Sequence, residues 1–223
     1  LTGCNSNFYN GWNAYENQDY DRAYEKWQIA AQSGDYRAQF YLGLSYEQGK
    51  GIKQNYKSAA KWYKLSAEQG FALAQNNLGL LYYKGLGVDK NIDKAAHWFS
   101  LAARQDNSNA INNLAVMHLK GEKYEQNDEK ARKMLITAAR EGNIKAQFTI
   151  ASIFKNDKDY LQAEKWYKKA ADKGYAPAQN SLGLLNEQGL IRRQNPDKAI
   201  YWYKLAAEQK YAPAQNNLGL IYM

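Results

Sequence analysis

The sequence predicts an all-α fold: a right-handed superhelical solenoid of six antiparallel helix pairs plus a single helix at the C-terminus. Two independent registers of small residues and a matching set of helix-capping residues predict it. The first register is a small residue in helical context, recurring every 32 or 36 residues, at Gly11, Gly43, Gly79, Ala115, Ala151, Gly183 and Gly219. Helix pairs that repeat at this interval stack into solenoids.

The second register marks the other helix of each pair. It consists of alanines at Ala23, Ala59, Ala95, Ala131, Ala163 and Ala199. Four positions after each alanine comes a large apolar residue: Trp27, Tyr63, Phe99, Leu135, Tyr167 and Tyr203. Residues four apart share a helix face, so each large side chain is expected to pack on the small residue of its partner helix.

Capping residues fall where both registers place the helix ends. The predicted N-caps of the second helices are Asp19, Asn55, Asn91, Asn127, Asp159 and Asn195, all with side chains that accept a bond from first-turn N–H groups. The same helices are predicted to stop at Gly34, Gly70, Asp106, Gly142, Gly174 and Lys210. Glycine suits the left-handed position that ends a helix, and Lys210 suits it less well.

Composition points to binding and away from catalysis. The chain has 223 residues, 45% of them hydrophobic and 23% charged, which is typical of a globular protein. One cysteine excludes a disulfide scaffold and a multi-cysteine zinc site. Two histidines, and no phosphate loop, nucleophile elbow or zinc-protease motif, predict no enzyme, no metal, no cofactor and no small-molecule substrate.

Charge favours an acidic protein partner. The net charge is +8, with ten basic against four acidic residues over 36–105 and nine against five over 161–223. A positive field of this kind attracts acidic surfaces. No run of five basic residues occurs, so nucleic acid is not expected as a partner.

Specific motifs resemble a known family. Leu78-Gly79-Leu80-Leu81-Tyr82 followed by Ala95 and Phe99 resembles the tetratricopeptide pattern. Two loops read Gly-x-Gly, at 49–51 and 85–87, and four of the six pairs carry four extra residues between their helices. Residues 8–223 therefore resemble the Sel1-like repeat, a longer relative of the tetratricopeptide repeat. The pairs at 8–34 and 146–174 lack the insertion and resemble ordinary tetratricopeptide units.

The resemblance implies protein–protein adaptor work in a bacterial cell envelope. Some similar lipoproteins act as immunity proteins against toxins delivered between cells, and this is the function we expect. The alternatives are an adaptor of an export or assembly machine, and a virulence factor that binds a host protein. A further alternative, from a different functional class, is a cell-wall glycan-binding protein or hydrolase.

The first residues, Leu1-Thr2-Gly3-Cys4, resemble a bacterial lipobox. Cys4 would then carry the acyl chains that hold the protein to a membrane. The residue after Cys4 is Asn5, whereas an aspartate there would resemble the signal that retains some bacterial lipoproteins in the inner membrane. We therefore expect a periplasm-facing outer-membrane lipoprotein of a Gram-negative bacterium. Residues 1–7 are predicted to be the lipobox remnant and a short tether, and 8–223 the solenoid. The alternative is a lone thiol beside a chance match.

The resemblance also implies where a partner binds, because the first helices of such arrays line the concave groove. The predicted groove residues are Phe8, Trp12, Tyr15, Phe40, Leu44, Asn76, Leu80, Tyr83, Asn112, Asn180 and Asn216. Aromatic residues suit binding hot spots, and asparagines could bond a peptide backbone. The asparagines could equally serve packing between repeats. Arg192 and Arg193 replace a Gly-x-Gly loop end and form a second predicted contact site.

Overall fold

Thirteen α-helices and no strand are present in residues 2–221, the part of the chain that this computed structural model describes; side chains are described from residue 6 onward. The helices are α1 (Thr2–Glu16), α2 (Tyr20–Gln32), α3 (Tyr36–Gln48), α4 (Tyr56–Glu68), α5 (Ala72–Lys84), α6 (Ile92–Ala103), α7 (Ser108–Lys120), α8 (Asp128–Arg140), α9 (Ile144–Asn156), α10 (Tyr160–Ala171), α11 (Ala176–Glu187), α12 (Pro196–Glu208) and α13 (Ala212–Ile221). The all-α prediction, with paired helices and a final single one, is confirmed.

The chain divides into two units. Residues 1–126 form unit 1, which contains α1 to α7, and residues 127–223 form unit 2, which contains α8 to α13. Within each unit every helix packs against the helix that follows it. Odd-numbered helices are the first helices of the predicted pairs, and even-numbered helices are the second.

Loop lengths separate the two predicted kinds of pair. Only 17–19 lie between α1 and α2, and only 157–159 between α9 and α10. The longer loops span 49–55, 85–91, 121–127 and 188–195. In the third of these, Lys123 takes the left-handed conformation (φ 66°) that glycine adopts at Gly87 (φ 69°). The departure from Gly-x-Gly therefore leaves this backbone angle unchanged.

The predicted caps are formed at both ends of the second helices. All six predicted N-cap side chains accept a bond from the backbone N–H three residues on, as Asn91 does from Lys94 at 2.8 Å. All six predicted stop residues have positive φ, including Lys210 at 61°. Lys210 is accommodated because the backbone bonds that close the helix, such as Lys210 N–H to the Ala207 carbonyl at 2.8 Å, are still made.

An aromatic ring lies on a glycine in three consecutive pairs of unit 1. A Cβ atom added to Gly11 would lie 2.6 Å from Trp27, and one added to Gly79 would lie 2.7 Å from Phe99. Gly43 meets Tyr63 in the same way. Carbon atoms normally approach to about 3.5–4.0 Å, so glycine is what allows each helix pair to close.

Glutamine side chains connect the first three pairs of unit 1 to one another. Gln39 and Gln75 each donate from Nε2 to a carbonyl near the end of the preceding second helix, Gln39 to Ala31 at 3.2 Å and Gln75 to Ala67 at 3.1 Å. Gln75 also accepts a bond from Gln105 at 2.9 Å. These bonds satisfy carbonyls that a helix end leaves without an intrahelical partner.

The start of the first helix differs from the sequence prediction. We expected a tether up to residue 7, but α1 already begins at Thr2. Residues 2–7 contain no proline, and Asn10 donates to Ser6 one turn earlier at 3.4 Å, so nothing in this segment ends the helix.

Candidate partner-binding surface

Side chains join α1 to α3 and α5 to α7, which are neighbouring first helices of unit 1. The ring of Tyr41 on α3 lies 5.3 Å from that of Trp12 on α1, and Asn113 on α7 donates to Asn76 on α5 at 3.0 Å. Five predicted groove residues on these helices are partly exposed, and we call the surface that they form the first-helix face. They are Trp12, Tyr15, Leu44, Leu80 and Tyr83.

Aromatic rings hold the α1 end of the first-helix face in place. Trp12 stacks on Tyr15 with ring centroids 6.1 Å apart, and Tyr15 lies 5.5 Å from the buried Trp27. The Trp12 indole N–H donates to the Glu16 carboxylate at 2.9 Å. Rings fixed in this way lose little conformational freedom on binding, which suits them to anchor a partner.

Phe8 and Phe40 were predicted to line the groove, but the structure places both in the core. Phe8 is 8% exposed and Phe40 is 6% exposed. The Phe40 ring packs 5.7 Å from Tyr63, and the Arg37 guanidinium lies 4.3 Å above Phe8. Both residues lie three positions before the small register residue of their helix, Gly11 or Gly43, and this position faces the neighbouring helices. The two side chains therefore pack between helices.

A lysine from the next pair caps each of the two tyrosines on the first-helix face. Lys50 Nζ donates to the Tyr15 hydroxyl at 3.2 Å, and Lys120 Nζ donates to the Tyr83 hydroxyl at 2.9 Å. Tyr83 in turn donates to the Glu122 carboxylate at 2.8 Å. Each site therefore presents an ammonium group beside an aromatic ring, an arrangement that stabilises the cation.

The tyrosine contacts favour the charged form of both lysines. The hydrogen bond to Tyr15 raises the pKa of Lys50, and the hydrogen bond to Tyr83 raises the pKa of Lys120. Both ammonium groups are positive at neutral pH and accessible to solvent. Lys120 Nζ also lies 4.0 Å from the Glu122 carboxylate, which balances part of its charge, so Lys50 is the stronger match for an acidic partner surface.

Two asparagines of the predicted row form bonds between repeats. Asn76 and Asn180 are 5% and 7% exposed. Each accepts from an asparagine on the next first helix at 3.0 Å, Asn76 from Asn113 and Asn180 from Asn217. Asn76 and Asn180 therefore serve packing between repeats, because their carboxamide oxygens already accept these hydrogen bonds.

The other two asparagines of the row differ from that pair. Asn112 is 6% exposed, and its Oδ1 has no partner within the described residues. Asn216 on α13 is exposed and remains a predicted contact residue.

The predicted loop site lies in unit 2. Arg192 and Arg193 are both exposed, as expected, in the loop between α11 and α12. They line a cavity of about 210 Å³ together with Glu164, Asn186 and Lys198. The cavity is bounded by the loop and by residues of α10, α11 and α12, so the two arginines belong to a shaped site.

Other predicted features give little further geometry. The side chain of Cys4 lies outside the described residues. None of the described helices is long and apolar enough to cross a membrane. No cluster of three or more potential metal ligands occurs among the described His, Cys, Asp and Glu side chains.

Consecutive capped helix pairs, four of them closed by an aromatic ring on a glycine, define an α-solenoid of the kind that presents a surface to other proteins. The Sel1 repeat model matches residues 37–71, 72–107, 108–143, 157–175, 176–211 and 212–223. The chain belongs to the Sel1 repeat family, whose members generally bind protein partners. All of the first pair expected to be tetratricopeptide-like, 8–34, and residues 146–156 of the second lie outside the matched segments.

Several solved bacterial structures are similar to this chain. A Sel1 repeat protein from Oxalobacter formigenes is 31% identical with a TM-score of 0.85, over 97% of this chain and 88% of that one. A protective antigen of uropathogenic Escherichia coli is 32% identical with a TM-score of 0.74; the match covers 100% of this chain and 50% of that one. An immunity protein of Pseudomonas aeruginosa shares the fold at 22% identity, with a TM-score of 0.60 over 80% of this chain and 66% of that one. A search of curated proteins found no significant match.

Sequence reasoning missed Tyr41, Lys50 and Lys120. Tyr41 occupies a register position that holds Asn77 and Asn113 in the next two pairs, so an aromatic residue there was a usable signal. The lysines lie more than thirty residues from the tyrosines that they contact. No periodicity within one pair reveals such a contact.

Proposed function

We propose that this chain is a noncatalytic scaffold that binds an acidic protein partner on the first-helix face. The observation that carries the proposal is the repeated tyrosine–lysine arrangement, Tyr15 with Lys50 and Tyr83 with Lys120. It places a fixed cation beside a partly exposed ring at two points of one unit. Trp12, Leu44 and Leu80 add apolar surface, and desolvated aromatic and apolar anchors dominate binding energy.

Charge reversal tests the proposal with a matched control. The test variant is Lys50→Glu with Lys120→Glu, and the control is Lys57→Glu with Lys61→Glu. The control pair is exposed on the second helix α4 of the same unit and changes the net charge by the same amount. Each variant is used as bait in a quantitative pull-down from source membranes, with circular dichroism to verify folding.

The proposal expects one stoichiometric protein that the test variant loses and the control retains. Fixed ion pairs of this kind change association rate and specificity. Equal capture by both variants, or equal loss from both, would reject the first-helix face as the binding surface. Turnover of muropeptides or acyl-amide substrates by the purified chain would reject the noncatalytic part.

We further propose that the partner is a secreted antibacterial toxin and that this chain is its immunity protein. The shared fold with immunity proteins of Pseudomonas aeruginosa supports this reading. Growth should stop when the partner is expressed alone in the periplasm and recover when this chain is co-expressed. The lysine test variant should not restore growth.

An adaptor of an export machine, or a virulence factor that binds a host protein, is the second candidate. The 32% identity to a protective antigen of uropathogenic Escherichia coli favours it. A partner that is harmless when expressed alone would reject immunity and leave this candidate standing.

Attachment to the outer membrane through Cys4 is a separate proposal. The four-residue resemblance to a lipobox supports it. The natural full-length protein should incorporate a labelled fatty acid and fractionate with outer membranes, whereas Cys4→Ser should do neither. Incorporation of the label by Cys4→Ser would contradict the proposal.

A further inference from the structure

Unit 2 contains a polar trough on the side of its second helices. Two cavities of about 210 Å³ each share Glu164, Asn186 and Lys198 in their walls. One extends to the loop that carries Arg192 and Arg193, and the other extends along α12. We call this surface the α10–α12 trough. Its lining includes Glu164, Asn186, Arg192, Arg193, Lys198 and Trp202, and also Lys168 and Tyr201 at the α12 end.

We propose that the α10–α12 trough binds an acidic peptide segment of a protein partner. The proposal deepens the proposed scaffold function, on which it rests, by adding a second contact site with its own chemistry. It does not require the first-helix face, which lies in unit 1.

Charge is the first argument. No carboxylate lies within ion-pair distance of Arg192, Arg193 or Lys198 in the part of the chain that the structure describes. Lys168, at the other end of the trough, is paired with Asp172 at 3.0 Å. Three exposed cations around one end of the trough match carboxylates from a partner.

The acceptor groups distinguish a peptide from a polyanion. Asn186 donates from Nδ2 to the Leu182 carbonyl at 2.8 Å, which leaves its Oδ1 as an acceptor, and the Glu164 carboxylate is also an acceptor. Phosphate groups offer no donor to these acceptors, so a phosphate backbone could engage the cations only. A peptide backbone offers N–H donors, so an acidic peptide can satisfy both the cations and the acceptors.

Aromatic side chains provide an apolar seat at the α12 end. Tyr201 is 57% exposed, and its ring lies 5.0 Å from that of Trp202 in an edge-to-face arrangement. An apolar residue next to the acidic ones would pack there. The structure therefore favours a segment in which acidic and apolar residues alternate.

The loop backbone holds the two arginines in position. Gly189 has a left-handed conformation with φ of 65°, and Asn195 donates its backbone N–H to the Asn186 carbonyl at 2.9 Å. The loop is thereby closed at both ends of the segment that carries Arg192 and Arg193. A loop fixed before binding loses less conformational entropy when the partner arrives.

The test uses two short peptides and the full chain. The probe is acetyl-Glu-Leu-Glu-Leu-Glu-amide, and its glutamine counterpart has the same length and no charge. Binding is followed by ¹H–¹⁵N NMR titration, with assigned signals from the α11–α12 loop and the Trp202 indole. The test variant is Arg192→Gln with Arg193→Gln, and the control is Arg140→Gln with Lys204→Gln, which are exposed in unit 2 outside the trough lining.

We expect shifts confined to the trough, tighter binding of the glutamate peptide than of the glutamine peptide, and about a tenfold weaker Kd in the arginine variant only. Equal weakening in the control would show attraction to net charge and overturn the proposal. So would the absence of trough shifts, or tighter binding of a short oligonucleotide or inorganic phosphate at the same residues. Lys50→Glu with Lys120→Glu should leave this titration unchanged, which separates it from a failure of the first-helix face.

Discussion

Replacing Gly79 with alanine tests how the helix pairs close. The new Cβ would lie 2.7 Å from two atoms of the Phe99 ring and 3.3 Å from the Ala95 carbonyl oxygen. These distances are too short for a normal contact, so the ring or the backbone must move, at a cost of about 1–3 kcal/mol. Alanine is favoured over glycine inside a helix by about 1 kcal/mol, which offsets part of that cost. We expect a net loss of up to about 2 kcal/mol in the free energy of unfolding.

The chain supplies its own control at Gly219. This glycine has the same register position on α13, but a Cβ there would meet nothing within 4 Å. Gly219→Ala should therefore leave the free energy of unfolding unchanged or raise it by up to about 1 kcal/mol. Urea unfolding followed by circular dichroism measures both variants. Destabilisation of the same size in both, or stabilisation by Gly79→Ala, would refute the ring-on-glycine packing.

A double variant sharpens the test. The fourth pair carries Ala115 and Leu135 at the register positions of Gly79 and Phe99. Phe99→Leu makes room for the alanine, so Gly79→Ala should cost less in the Phe99→Leu background than in the wild type. The difference is a coupling energy, and a value near zero would mean that the two residues do not meet.

Three further predictions concern caps, buried bonds and pH. Asn76→Ala removes the acceptor of Asn113 and should cost about 1–3 kcal/mol in urea unfolding, whereas the exposed Asn216→Ala should cost no more than about 0.5 kcal/mol. Asn55→Ala removes the bond to the Ser58 N–H and should cost about 1 kcal/mol, with Asn55→Asp retaining most of the stability; equal losses would contradict a capping role. Burial is the main cause, and the Glu47 carboxylate the next, of a pKa of Tyr63 above its ordinary value. The contribution of neutral Tyr63 to the free energy of unfolding is therefore complete below about pH 10 and is lost as the pH rises further. Between about pH 8 and pH 11, thermal melts should show a smaller loss of stability in Tyr63→Phe than in the wild type. The same dependence of stability on pH in both proteins would contradict a contribution from Tyr63.

Features repeated in the sequence were the predictable part of the fold. Asn91 as a cap and Gly79 beneath Phe99 follow from local spacing, because capping and helix pairing depend on residues within one unit of the repeat. The start of α1 at Thr2 was missed since no cap residue marks it. Lys210 shows that a position marked by glycine in other pairs tolerates another residue when the closing bonds are kept.

The binding surface was less predictable than the fold. Phe8 and Phe40 have the residue type of a binding anchor, yet the neighbouring helices cover them. Lys50 and Lys120 define the charge of the first-helix face through contacts between different pairs. Such contacts depend on how far each pair rotates against the next, which a single sequence does not encode in any one motif.

Site-specific photo-crosslinking tests the central claim most directly. A benzophenone amino acid is placed at Leu80 on the first-helix face or at Leu65, which is 38% exposed on the second helix α4 of the same unit. Each protein is irradiated in cells of the source organism, and the adducts are identified by mass spectrometry. We expect one abundant protein adduct from Leu80, lost with Lys50→Glu and Lys120→Glu, and none of comparable yield from Leu65. The same adduct from Leu65 alone would contradict partner binding on the first-helix face.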